Sequence, residues 1–221
     1  MERRHDKEIM DDMSITDSRI DRALDELRII NMLLGGRSVS KDGILHITEG
    51  KHRPLTILDV GSGASDTLAN LPNAKETTVI SMDLNTGVCR YVRERNADAP
   101  IVCADAFRLP VRDNSVDIVH LSLFLHHFTE HDMVRLLSSF LAAARLGVVI
   151  NDLRRSAIAH AAIWMLTRLL PASPMVRHDG PLSVQRAFSR RDLESVIARL
   201  RVAHVTIRRR WAFRWLVVLR K

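Results

Sequence analysis

Residues 56–65 read TILDVGSGAS: an apolar run reaches Asp59 and passes straight into a Gly-Ser-Gly turn. Gly61 and Gly63, with Ser62 between them, let backbone approach a ligand closely, because without a Cβ they adopt φ values that other residues resist. The next apolar run also ends in an acid, Asp83 followed by Leu84 in SMDLN. A carboxylate about 20 residues beyond a glycine turn can accept both hydroxyls of a ribose. A third acid, Asp105 in CADAF, follows the next run. There it can accept from an adenine amino group while Ala106 leaves room for the ring. A Gly-x-Gly turn alone is common; acids at three successive strand tips make a pattern.

Two further groups could move protons. His126 and His127 lie together in FLHHF, and Asp152 lies in VINDLRR. Being adjacent, the histidines are expected to point in different directions, one toward a substrate and the other packing inside. Asp152 can orient a histidine or the substrate, or serve as a helix N-terminal acid before Arg154. His178 in RHDGP is a lid candidate. No His/Cys/Asp grouping has metal-ligand spacing, so no metal site is expected. Cys89 and Cys103 are too few for a disulfide framework and are expected to pack, one in a helix and one in a buried strand.

These residues need strands to carry them. Apolar runs at 55–60, 77–84, 100–104, 116–123 and 147–153 predict strands, with helices between them at 65–71, 86–96 and 130–145. TILDV and VVIND are apolar on both faces, as a helix-covered parallel sheet requires. Helical spacing also predicts helices over 17–34, 156–170 and 189–200, with Ser189 as an N-cap. Residues 37–53 and the Pro- and Ser-rich PASPMVRHDGPLS read as loops. Two β-rich runs close the chain across a very short connection, which requires antiparallel neighbours. The expected fold is α/β: a doubly wound, mostly parallel seven-stranded sheet with a C-terminal antiparallel hairpin and helices on both faces. Residues 1–53 form an N-terminal helical segment and loop. Residues 54–221 form the main domain, with a helical substrate cover around 155–188.

From about 55 to 153 the sequence resembles class I (Rossmann-like) S-adenosylmethionine-dependent methyltransferases of the small-molecule type. Asp59-Val60-Gly61-Ser62-Gly63-Ala64-Ser65 matches the family's glycine-rich motif, with Ser65 where many relatives have a third glycine. Asp83 matches its ribose acid and Asp105 its adenine-side acid. LPVRDNSVDIVHLSLFLHHF resembles its fourth-strand region, which implies Ser122 and Leu123 near the methionine moiety. The implied cofactor is S-adenosyl-L-methionine, with S-adenosyl-L-homocysteine as product. A dinucleotide reading would need glycine at 66, where Asp66 would point a negative charge at a pyrophosphate; a sulfonium ligand tolerates acids.

The chain has 33 Lys+Arg against 26 Asp+Glu, a net charge of +7 that could favour nucleic acid, an anionic surface or an acidic substrate. The arginines are scattered, clustering only at 154–155, 190–191 and 208–210, as on a solvated surface. Nucleic acid is an unexpected partner, because base-amino methyltransferases carry an Asn/Asp-Pro-Pro-aromatic motif where this chain has Ser-Leu-Phe-Leu-His-His. The charged N-terminus cannot be a signal peptide, and the apolar stretch 157–170 is too short to span a bilayer, although it could touch lipid. A cytoplasmic enzyme follows, acting on a small hydrophobic acceptor such as an aromatic, quinone-like or polyketide-like compound. Nucleic-acid methylation and a non-catalytic binding or scaffold role are the alternatives.

Overall fold

The computed structural model describes residues 1–50, 53–69, 71 and 76–221. Seven strands form one sheet in the order β3-β2-β1-β4-β5-β7-β6. The strands are β1 (Leu55–Val60), β2 (Thr77–Asp83), β3 (Ile101–Cys103), β4 (Val116–Ser122), β5 (Ala144–Leu153), β6 (His204–Arg210) and β7 (Arg214–Arg220). The first five run parallel, with Asp59 beside Ser81 and His120 in register. β7 inserts antiparallel between β5 and β6, as the short final connection requires.

Alternate residues of the strands feed two cores, following the period-2 pleat. Leu58, Val60, Val119 and Leu121 face α4 (Glu130–Ala143) and α7 (Arg190–Ile197). Ile57, Ile118, Val149 and Leu216 face α2 (Gly36–Ile47). A third cluster joins α1 (Ser18–Leu33), α3 (Thr86–Arg95) and α6 (Pro174–Arg186). Helix starts follow capping chemistry. Thr129 caps α4 by accepting from the Asp132 N–H, and Ser189 and Asp192 close a capping box on α7.

Three segments differ from expectation. The loop expected over 37–53 contains α2, built from poor helix formers that dock instead: Gly43 lies so close to Val149 and Leu216 that a Cβ there would meet them at 2.4 and 2.9 Å. The Pro-rich stretch expected as loop is α6, with Ser173 as N-cap and Pro174 in its first turn, where proline's missing N–H costs nothing. The helix expected over 65–71 is a series of turns through residue 69, residue 70 lying outside the described residues. Gly61, Gly63 and Ser65 have φ of 64°, 51° and 53°, which no continuous right-handed helix accommodates. Side chains also pin this segment to its neighbours: Arg37 of α2 donates to Asp66 at 2.8 Å, and Asn31 of α1 donates to Thr67 at 3.4 Å.

Of the cysteines, Cys89 is buried as expected. Cys103 is exposed because β3 is an edge strand. Among the described residues no helix is long and apolar enough to cross a membrane.

Candidate functional site

A cavity of about 1000 Å³ lies over the C-terminal strand ends. It is covered by the first 13 residues, α1, α5 (Ala157–Leu169), α6 and the turn between β6 and β7. Gly61, Ser62 and Gly63 line one half, together with Asp83, Leu84, Asp105, Ala106 and Ser122. The left-handed backbone at Gly61 admits the Phe124 ring, which a Cβ would meet at 2.2 Å. Phe124 packs on Phe128, and Phe128 packs edge-on to Phe107, so an aromatic wall runs along this half.

Asp83 ends β2 with Oδ2 accepting from the Gly63 N–H at 3.2 Å and Oδ1 from the Asn85 N–H at 3.0 Å. Burial pushes its carboxyl above the usual range, and Asp59 adds to the shift. Asp105 uses Oδ1 to cap the turn at Phe107, 2.9 Å away. Ser122 accepts a long 3.5 Å bond from Asn151. Asp59 does not line the cavity. It is 2% exposed and bound to His120 Nδ1 at 2.7 Å, while His120 Nε2 meets Ser40 Oγ at 2.8 Å. That chain continues from Asn151, which donates to Ser40 and accepts from Arg214 at 3.0 Å. Arg214 is buried, and desolvation lowers its guanidinium to about 10.

The other half of the cavity ends at the histidines. After β4, Leu123 turns the chain with φ of 54°, which delivers the backbone of the 3-10 turn Leu125–His127 to Asp152 on β5. Asp152 Oδ2 accepts from the Leu125 N–H at 2.9 Å. Its Oδ1 meets His126 Nδ1 at 2.7 Å. His126 is 3% exposed, and its Nε2 has no hydrogen-bond partner; the nearest acid, Glu8, stands 3.6 Å away. Burial opposes protonation of His126, but Asp152 and Glu8 outweigh it and push the ring up to about 9. His126 holds Asp152 below the usual carboxylate range against the effect of burial.

His127 stacks on His126 with ring centroids 4.2 Å apart. Both therefore border one chamber rather than dividing into a facing and a packing residue, as adjacency alone suggests. His127 Nδ1 meets Asp11 Oδ1 at 2.6 Å, and Arg186 of α6 donates to Asp11 Oδ2 at 2.6 Å. Burial would raise Asp11, but His127 and Arg186 hold it well below the usual range. Arg186 also donates to the carbonyls of His126 and His127. Glu8 accepts from Ser183 at 2.9 Å, and Asp179 accepts the N–H groups of Ile9 and Met10. The N-terminal segment is thus tied to α6 over the histidines. His178 does not line the cavity; its ring turns to Asp179 at 2.7 Å.

Glu8, Asp11, Arg186 and the phenylalanine wall were not singled out from sequence. His127 and Asp11 are 116 positions apart, and no local spacing links them. The hint available was an acid-rich N-terminus with helical spacing after it.

A methyltransferase domain model matches residues 58–147. No curated protein matches the chain. Its fold is similar to an S-adenosylmethionine-dependent methyltransferase from Aquifex aeolicus, with a TM-score of 0.56 and 16% identity over 83% of this chain and 91% of that one. Magnesium protoporphyrin IX methyltransferase from Synechocystis, solved with bound S-adenosylhomocysteine, gives 0.54 and 15% over 86% and 84%. Human N-acetylserotonin methyltransferase in complex with S-adenosylmethionine gives 0.65 and 12% over 92% and 56%. Residues 58–147 thus match a methyltransferase domain, and they sit in a seven-stranded fold that the chain shares with these S-adenosylmethionine-dependent methyltransferases.

Proposed function

We propose that the chain methylates a hydroxyl or phenol on a small, largely apolar acceptor, of aromatic, quinone-like or polyketide-like character. The observation that carries this reading is one continuous cavity with two chemically distinct ends. One end offers the glycine turn, Asp83 and Asp105. The other reaches the histidine pair, and the cavity's walls are largely apolar, with Met10, Ile30, Leu34, Ile163, Leu166 and Val184 among them. Two of the fold neighbours are named for magnesium protoporphyrin IX and N-acetylserotonin, which supports a small acceptor.

The residues at the first end suit an S-adenosyl group. Asp83 is a desolvated carboxylate already held by two N–H groups, with lone pairs left for a diol, and Asp105 commits only one oxygen to its own turn. The bound group supplies an electrophilic methyl on a sulfonium. Gly61, Ser62 and Gly63 give it backbone, Leu84, Ala106 and Phe124 give it walls, and Ser122 lies toward the acceptor. Asp59 acts from behind, fixing the end of β1 through His120. Catalysis by this chain consists of holding the acceptor oxygen in line, excluding water under α5 and α6, and handling the hydroxyl proton at His126, His127 and Asp152.

A panel of phenolic, quinone-derived and polar acceptors, followed by mass spectrometry, tests the reading. Turnover of phenolic members that His127→Ala lowers by roughly 100-fold or more is the expected outcome, the low end of a proton-transfer contribution. Turnover of polar acceptors only would overturn it.

A further inference from the structure

We infer that Glu8, His126 and His127 form a divalent-metal site of the zinc class at the acceptor end of the cavity. The inference rests on the acceptor reading above and specifies how the histidine pair acts. One ring nitrogen from each histidine and one Glu8 carboxylate oxygen lie within 4.8 Å of one another. All three residues line the cavity.

The surroundings of the rings are what a metal requires. A ligating histidine normally gives its other ring nitrogen to a carboxylate, which fixes the tautomer and aims the free nitrogen. Both rings have this arrangement: Asp152 holds His126 Nδ1 at 2.7 Å and Asp11 holds His127 Nδ1 at 2.6 Å. Two carboxylate-held rings, with centroids 4.2 Å apart, each place a ring nitrogen within 4.8 Å of one Glu8 oxygen, and for His126 the nitrogen facing Glu8 is Nε2.

An independent observation points to a missing ligand. His126 Nε2 is buried and lacks any hydrogen-bond partner, standing 3.6 Å from Glu8 Oε1. An orphaned buried polar atom is costly. A cation between that nitrogen and Glu8 satisfies both. Donors about 2.0–2.1 Å from a tetrahedral zinc lie roughly 3.3 Å apart, close to the separation already present. Charge agrees: Glu8, Asp11 and Asp152 surround the rings, and Arg186 is the guanidinium ion-paired to this group, 3.7 Å from Glu8 and 2.6 Å from Asp11.

Two histidines and a glutamate leave a fourth position open, the ligand set of catalytic rather than structural zinc. An acceptor hydroxyl oxygen occupying it becomes more acidic. The rings then act on the hydroxyl proton through the metal rather than by accepting it: the proton leaves to solvent as the acceptor binds, before water is excluded, the oxygen's electron pair forms the bond to the methyl carbon, and the carbon–sulfur pair returns to sulfur. A neutral thioether and a methyl ether result, so atoms and charge balance without redox.

The test uses the full chain, stripped with chelator, dialysed against zinc or cobalt(II), and read by elemental analysis and by cobalt ligand-field absorption. One metal per chain is expected. Glu8→Gln and His127→Ala should lose the metal while retaining wild-type circular dichroism, and Asp11→Asn should weaken binding roughly 10- to 100-fold. Surface variants His5→Ala and His178→Ala should retain it. A folded wild type that binds neither metal, or metal retained in both Glu8→Gln and His127→Ala, would overturn the site. Phenol turnover by metal-free protein would overturn the metal's part in the reaction but leave the acceptor reading standing. Stoichiometric metal with turnover of polar acceptors only would uphold the site and overturn the acceptor reading.

Discussion

Asp83 carries two opposed demands. Its carboxyl is raised by burial, so the folded chain holds that proton to a higher pH than the unfolded chain does. The stabilising contribution of the neutral form is complete below the unfolded value, near pH 3.9, and is lost as pH rises through the folded value. At neutral pH the buried carboxylate is therefore a cost to stability, which a role as the charged acceptor of a diol, as proposed above, would account for. Asp83→Asn should raise the melting temperature at neutral pH, with the gap to wild type closing toward acid. It should also weaken S-adenosylhomocysteine binding in calorimetry by about 1.5–3 kcal/mol, the value of a hydrogen bond to a charged group. A variant less stable than wild type, with cofactor affinity unchanged, would refute this. Asp83 and Asp105 were legible as cavity residues because each ends an apolar run, and the strand ends of such sheets border the crevice. Asp59 follows the same rule but faces the other way: His120, in register on β4, offers a buried partner that no linear pattern reveals.

Among the elements, those carried by hydrophobic period were legible, and those carried by tertiary contact were not. β1, β4 and β5 are apolar on both faces and sit where their patterns put them. α2 reads as loop because Gly36, Ser38, Ser40 and Gly43 are poor helix formers. Two of these residues nevertheless have a use: Gly43 lets the helix settle on β5 and β7, and Ser40 reaches both His120 and Asn151. α6 hides behind Pro174 and Pro181, yet Gly180 lets it approach α5, where a Cβ would stand 3.3 Å from Ile163. Gly43→Ala separates propensity from docking. On an exposed helix face this change gains up to about 1 kcal/mol. Here the new methyl collides with Val149, and the expected result is a loss of about 1–3 kcal/mol in urea denaturation. A stabilised variant would mean that α2 does not dock as described.

At the scale of the whole molecule, the charge of +7 and the sheet order bear on the same residues. Much of the arginine surplus is already engaged: Arg19 with Asp17, Arg90 with Asp21 and Glu94, Arg95 with Asp25, Arg190 with Glu194. The run Arg208-Arg209-Arg210 lies on β6, an outer strand of the sheet. An uncovered edge strand presents unpaired backbone groups to other chains, and charged side chains are a common way of blocking that pairing. Arg208 and Arg209 are exposed there, so edge protection accounts for the cluster without invoking a nucleic-acid partner. The two explanations diverge in one experiment. If the arginines guard the edge, the double variant Arg208→Val and Arg209→Val should scatter more light on mild heating while binding S-adenosylhomocysteine as wild type does. If they hold a polyanion, the wild type should bind RNA or DNA with an affinity that falls steeply between 50 and 200 mM salt. The double variant should then flatten that slope without aggregating. Edge protection is the expected result, because the cavity that the sheet positions has largely apolar walls, and Arg208 and Arg209 do not line it.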